Sequence, residues 1–322
     1  MKKAHVISAE RREELILWHK NPLRYRPIKT GLFAFDRSGG IKFGTYVVVL
    51  GPDKAGKTAV AVKIALSLGS MMNCLLRIYA LEESEADWID RMVSFMSTTI
   101  GRTRIMNLEL KTEDFDHWAQ DLTPALQETW IEIESQVWKA SEIIKNEIAS
   151  IQAEMKEKGW KTIEEYKEKG IPRIVMIDGF QLLGDFPEES ENDKLTKISR
   201  MLMEARSKWK ITFVVIAQLN KAGRAYGSEA VYKDANLLLE IRRKKGMDGQ
   251  PERGLAQMAV LHNRQSAPYP FMDFMMDGDH SRVANVGSVV LDNNGDTIED
   301  REPHPDDLRE SHGPVVNHNF WK

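Results

Sequence analysis

Apolar residues recur along this chain in six short runs, at 46–50, 75–81, 174–177, 213–217, 237–241 and 258–261, each bounded by polar residues or glycine. Runs that are apolar almost throughout, rather than alternating, predict strands buried on both faces, as in a parallel sheet covered by helices. Between them stand segments with apolar residues at helical spacing, such as "AVAVKIALSLG" after the first run. The expected fold class is α/β, a mainly parallel twisted sheet with helices on both faces.

Three stretches depart from that alternation. Residues 8–20 read as a short helix capped by Ser8 and carrying Leu15, Ile16 and Trp18, ahead of a proline-containing linker, "NPLRYRP". Such a helix either packs on its own domain or docks as an arm on a neighbouring subunit. Residues 111–170 are charged and poor in strand signals. There Trp130, Ile133, Val137, Ile144, Ile148, Ile151 and Met155 fall mostly at helical intervals, which predicts long amphipathic helices packed on the core or projecting toward a partner. The stretch 285–322 is acidic and rich in Asn, Pro and His. It has too little apolar surface to fold, so a disordered tail is expected, with Phe320 and Trp321 as filler or as an anchor for a partner protein. The expected organisation is a helix and linker over 1–28, one large domain over 29–284, and the tail.

Composition narrows the classes. With a formal charge of −3 over 322 residues, a protein that coats nucleic acid through a broad basic face is disfavoured, while a ring gripping one strand through a few loops is not. One cysteine, Cys74, allows no internal disulfide and points to a reducing compartment. No apolar stretch approaches a membrane span and the N-terminus lacks a signal-peptide core, so a cytoplasmic protein without a membrane partner is expected.

The candidate chemistry begins at "VVVLGPDKAGKTAV", whose spacing is that of a phosphate-binding P-loop. The loop runs from Gly51 through Pro52, Asp53, Lys54 and Ala55 to Gly56, and Lys57, Thr58 and Ala59 open the following helix. Glycines permit a tight turn whose N–H groups face a chain of phosphates, Lys57 reaches the β- and γ-phosphates, and the Thr58 hydroxyl is a Mg2+ ligand. Hydrolysis needs further groups, and three strand ends offer them. Asp178 ends "RIVMID" as a metal carboxylate or a helix cap. Glu82 and Glu83 follow "LLRIYAL", as a base for water or as first-turn helix carboxylates, and spacing does not separate the two. Gln218 and Asn220 follow "TFVVIA", where an amide can sense the γ-phosphate.

Taken together, these segments resemble the RecA-like ATPase core of the DnaB-type replicative helicases over about residues 29–283, with the motifs in family order. The resemblance implies ATP and Mg2+ as cofactors. It assigns the catalytic glutamate to Glu82, with Arg91 along the same helix, and the metal strand "IVMIDGFQLL" to Asp178 and Gln181. It makes Gln218 the γ-phosphate sensor. "AVLHNRQSAP" is similar to the strand carrying a trans-acting basic pair, which makes Arg264 an arginine finger and places His262 where a lysine is usual. The DNA-contact loops would correspond to 184–197, which is acidic, and to 221–233, where Lys221 and Arg224 face phosphates and Gly227 and Ser228 offer backbone N–H groups. The resemblance implies a homo-oligomeric ring, hexameric, translocating on single-stranded DNA. The family's separate N-terminal domain has no counterpart in the first 28 residues, as in phage and plasmid forms, leaving primase, loader or polymerase contacts to the tail. A phage-encoded form would work in its host's cytoplasm. The alternative is a RecA-like ATPase that does not unwind: a recombinase, a loader or a nucleotide-switched assembly factor.

Overall fold

The six apolar runs all enter one nine-stranded sheet, seen in a computed structural model that describes residues 3–20, 27–70, 74–219, 229–246, 249–264 and 268–285. Its strands are β1 (Tyr46–Gly51), β2 (Leu75–Ala80), β3 (Ile131–Glu134), β4 (Arg173–Asp178), β5 (Thr212–Gln218), β6 (Leu237–Lys245), β7 (Pro251–Asn263), β8 (Tyr269–Asp277) and β9 (Arg282–Asn285). They lie in the order β3-β2-β4-β5-β1-β6-β7-β8-β9. From β3 to β6 every pairing is parallel. From β6 to β9 every pairing is antiparallel. The run at 258–261 therefore belongs to an antiparallel strand, a departure from the parallel expectation that an apolar run cannot signal.

Successive residues of β1 serve opposite faces, as the period of a strand requires. Val47 and Val49 join one buried cluster with Ile78, Met176 and Val214, covered by α3 (Lys57–Gly69) and α4 (Glu85–Met96), which contributes Trp88. Tyr46, Val48 and Leu50 join the other with Val175, Ile177 and Phe213, covered by α8 (Ala140–Lys158) and α10 (Glu191–Trp209). The remaining helices are α1 (Ala4–Lys20), α2 (Phe33–Arg37), α5 (Arg102–Met106), α6 (Thr112–His117), α7 (Thr123–Gln127), α9 (Ile163–Lys169) and α11 (Glu229–Asp234). None of the described helices is long and apolar enough to cross a membrane.

Two elements differ from their expected form. Helix α1 starts at Ala4 rather than after Ser8, because the N–H groups of Val6 and Ile7 already bond the Lys3 carbonyl (3.0 and 3.2 Å). Within 111–170, Ile133 lies on a strand and not on a helix: "IEIE" alternates at period two, and β3 pairs Ile131 with Leu76 and Ile133 with Ile78. The long helix of that region, α8, packs on the sheet through Ala140, Ile143 and Ile151. It is fastened by Glu147 to Arg77 and by Glu154 to Arg173 at 2.7 Å.

The register aligns the C-terminal ends of the inner strands. Gly51 pairs with Gln218, Ala80 with Asp178, and Asp178 with Ile216. That edge is where ligands of open α/β sheets bind.

Candidate active site

Strand β1 ends at Gly51 with its carbonyl accepting from the Leu219 N–H (3.0 Å), and the chain then turns through Pro52, Asp53, Lys54 and Ala55. Lys54 (φ 59) and Gly56 (φ 97) are both left-handed, the conformation that lets such a turn offer N–H groups to an anion, while the Ala55 N–H donates to the Pro52 carbonyl at 3.3 Å. A side chain at 56 would meet both the positive φ and the Met276 sulfur of β8. Lys57 is buried, its Nζ donating to the Pro52 carbonyl at 3.0 Å. Burial lowers its pKa, against the opposing pull of Glu82, Asp178 and Asp53. Thr58 and Ala59 follow in the first turn.

Asp178 terminates β4 fully enclosed, and neither carboxylate oxygen has a hydrogen-bond partner. Burial, with the charges of Glu82 and Glu83, pushes its pKa up to about 7 against Arg91 and Lys57. An orphaned carboxylate suits a hard divalent cation that takes its other ligands from water, phosphate and a hydroxyl. Among the described residues no cluster of three or more acidic, histidine or cysteine side chains could hold a metal by itself. The donor set therefore fits Mg2+ carried in with a nucleotide.

The next residue, Gly179 (φ 101), brings the chain so close to Glu82 that an added Cβ would stand 2.9 Å from its Cγ. Glu82 is exposed, and its Oε1 accepts from Gln181 Nε2 and from Gln218 Nε2, the latter at 3.3 Å. Glu83 is bound by Arg91 through both carboxylate oxygens, with Nε at 2.6 Å. Glu83 is thus hydrogen-bonded to a cation, whereas Glu82 takes its hydrogen bonds from neutral amides. Ser84 caps α4, its hydroxyl accepting from the Asp87 N–H.

The structure thus brings together the loop from Gly51 to Ala59, Glu82, Asp178, Gln181 and Gln218. It does not bring Arg264 or His262 to them. Asn263 pairs with Leu237, and Leu237 with Val47, so both residues stand beside the start of β1. The P-loop leaves from the other end of that strand, roughly 15 Å away at the usual rise per residue. Arg264 is exposed, and its guanidinium donates to the Lys233 carbonyl. His262 has its Nε2 buried without a partner. Lys221, Arg224, Gly227 and Ser228 lie outside the described residues, as do Asn220 and the stretch beyond 285. The segment at 184–197 is a loop only as far as Ser190, which caps α10. Its Asp185 accepts from the Ala140 and Ser141 N–H groups that open α8.

A P-loop, a buried metal-type carboxylate and an amide-held glutamate at the ends of adjacent parallel strands define a nucleotide-binding α/β protein of the P-loop class. Residues 27–268 match the family model described as DnaB-like helicase C terminal domain, and the chain belongs to that family. It is 23% identical over 260 residues to a probable plasmid replicative DNA helicase of Chlamydia psittaci, covering 75% of this chain and 52% of that protein. The corresponding protein of Chlamydia trachomatis is 22% identical over 251 residues, with 72% and 52% covered. The chain thus spans about half the length of these relatives. Among solved structures, the ATPase domain of G40P shares the fold with a TM-score of 0.67 at 18% identity, covering 85% of this chain and 98% of that one. A DnaB-like replicative helicase, described with its interactions with primase, also gives 0.67 at 17% identity, covering 82% of this chain and 64% of its own.

Proposed function

We propose that this chain is the ATP-hydrolysing motor of a replicative DNA helicase, working as a ring of six copies that translocates on single-stranded DNA. One observation carries the reading: the hydrolysis residues gather at one end of the sheet while Arg264 stands at the other, so Arg264 can reach phosphates only in the P-loop of a second copy.

In this reading the P-loop amides and Lys57 bind the phosphate chain, and Glu82, held by Gln181 and Gln218, orients water against the γ-phosphate. Thr58 and Asp178 would hold Mg2+, which when bound neutralises charge on the β- and γ-phosphates. Arg264 of one copy adds positive charge at the transition state in the next. Gln218 touches Glu82 at the strand end that leads directly to 220–228, so loss of the γ-phosphate is transmitted toward Lys221, Arg224, Gly227 and Ser228, the proposed DNA contacts. Partner proteins such as primase, loader or polymerase would engage the tail.

The acidity and internal bonding of 184–190 favour a second reading, an ATPase of this fold that does not unwind. ATP turnover with and without single-stranded DNA, run beside unwinding of a forked duplex, separates the two. DNA-stimulated turnover with unwinding, both lost in Glu82→Gln, is expected. DNA-independent turnover without unwinding would move the assignment to the second reading.

A further inference from the structure

Arg264 does not stand alone at its end of the sheet. Arg206, near the C-terminus of α10, donates through one guanidinium nitrogen to the Asn236 side-chain oxygen. That same oxygen accepts the Tyr46 N–H at 2.9 Å. Arg264 approaches the same turn from β7, its backbone N–H donating to the Asn236 carbonyl at 2.9 Å and its guanidinium to the Lys233 carbonyl. Two arginines from different elements therefore converge on the short connection between α11 and β6.

Their surroundings are unusual for a surface ion cluster. Among the described residues neither guanidinium has a carboxylate partner. The acidic residue of this turn, Asp234, accepts from Ser199 Oγ at 2.9 Å. Arg206 Nε is buried with nothing to donate to. Burial disfavours the charge on Arg206, and the charge of Arg264 disfavours it further. Two like charges held together without a carboxylate between them are stabilised by a compact anion that accepts from both. The P-loop of the same chain is at the opposite end of β1, beyond the reach of either side chain.

We propose that Arg206 and Arg264 together form a two-arginine seat for the terminal phosphate of a nucleotide held in the P-loop of a second copy of this chain. Arg206 supplies the second positive charge, which His262, with its Nε2 turned into the protein, does not. This rests on the assembly reading given above and adds a residue to it.

The test is subunit mixing. Arg206→Ala has an intact P-loop and lacks the second cation; Lys57→Ala has both arginines and lacks the P-loop lysine. Each alone is expected to turn over ATP slowly, Arg206→Ala by about ten-fold or more below the unmodified chain. Mixed in equal amounts they should exceed the sum of the two, because Lys57→Ala subunits then present both arginines to competent P-loops. Arg206→Gln keeps a donor for Asn236 without the charge and should fall as far as Arg206→Ala, with nucleotide binding and melting temperature retained. Arg200→Ala, exposed on the same helix, serves as the control and should leave turnover unchanged.

Rescue of Arg264→Ala by Lys57→Ala without rescue of Arg206→Ala would leave Arg206 a purely structural side chain and overturn the proposal. Failure of both pairs would remove the assembly reading, and this inference with it. Weakened binding of single-stranded DNA at unchanged DNA-free turnover would give the phosphate to DNA instead, which also overturns it.

Discussion

At the scale of single residues, the most informative group is Asp178, because the fold keeps it where it is costly. Its pKa, raised to about 7 by burial and by its acidic neighbours, means that the folded chain binds this proton more tightly than the unfolded chain does. Between the unfolded value near 3.8 and about 7 the native state holds the extra proton, so stability falls as pH rises through that window. Above it the whole penalty is present. Asp178→Asn should therefore raise stability in metal-free buffer at pH 8 by up to about 4 kcal/mol, should change little near pH 4, and should abolish Mg2+-dependent turnover. Thermal melts at the two pH values, with chelator present, check this. A variant less stable than its parent at pH 8 would mean that the carboxylate has a stabilising partner. The sequence makes this residue legible, since an Asp closing an apolar run downstream of a P-loop has few other uses. It leaves Glu82 and Glu83 indistinguishable, because the difference lies in which one Arg91 reaches from the next helix. Arg206 carries no signal at all: one arginine in an amphipathic helix reads as a solvated position until β7 brings a second beside it.

At the scale of elements, the inner strands are legible because burial on both faces keeps them almost wholly apolar, with Arg77 of β2 an exception. Strand β3 is not, since Trp130, Ile133 and Val137 happen to satisfy helical spacing while "IEIE" is too short to compete. Its outward carboxylate, Glu132, meets Arg77. Of the β7–β9 extension only the apolar run at 258–261 is legible; its antiparallel direction and strands β8 and β9 are hidden, because antiparallel pairing depends on partners rather than on composition. Helix α8 shows what such long-range contacts do. Glu154 lies almost wholly buried and holds both Arg173, at 2.7 Å, and the Ile171 N–H, at 2.8 Å. A buried pair of this kind adds little over an apolar substitute, yet breaking it strands the remaining charge. Glu154→Ala should cost about 3–5 kcal/mol, whereas Glu154→Met with Arg173→Met should cost far less. Urea midpoints of the three chains decide it. Equal losses in the single and double variants would show that packing volume, not the stranded guanidinium, sets the cost.

The whole molecule is organised by the separation of its two ends. Lys57, Glu82 and Asp178 occupy one and Arg264 the other, so a lone chain has no route to a site completed by Arg264. The proposed assembly needs contacts that a single copy leaves open, and α1 offers some. Val6, Ile7, Leu15 and Ile16 remain 37%, 52%, 47% and 43% exposed on it. Completing their burial against another copy would supply roughly 1 kcal/mol each. About 4 kcal/mol in total corresponds to nearly three decades in the concentration at which copies associate. Association itself costs about that much or considerably more, so the arm must add to a larger interface rather than replace one. Removing residues 1–20 should accordingly raise the protein concentration needed for assembly by about a hundred-fold or more, measured by light scattering. Nucleotide binding by the isolated P-loop should be unchanged, because none of its residues lies on the arm. ATP turnover per chain should fall at low concentration and recover as concentration rises, as expected of a site shared between copies. A truncated chain that assembles and turns over like the intact one at every concentration would place α1 on its own domain and leave the proposed ring to other surfaces.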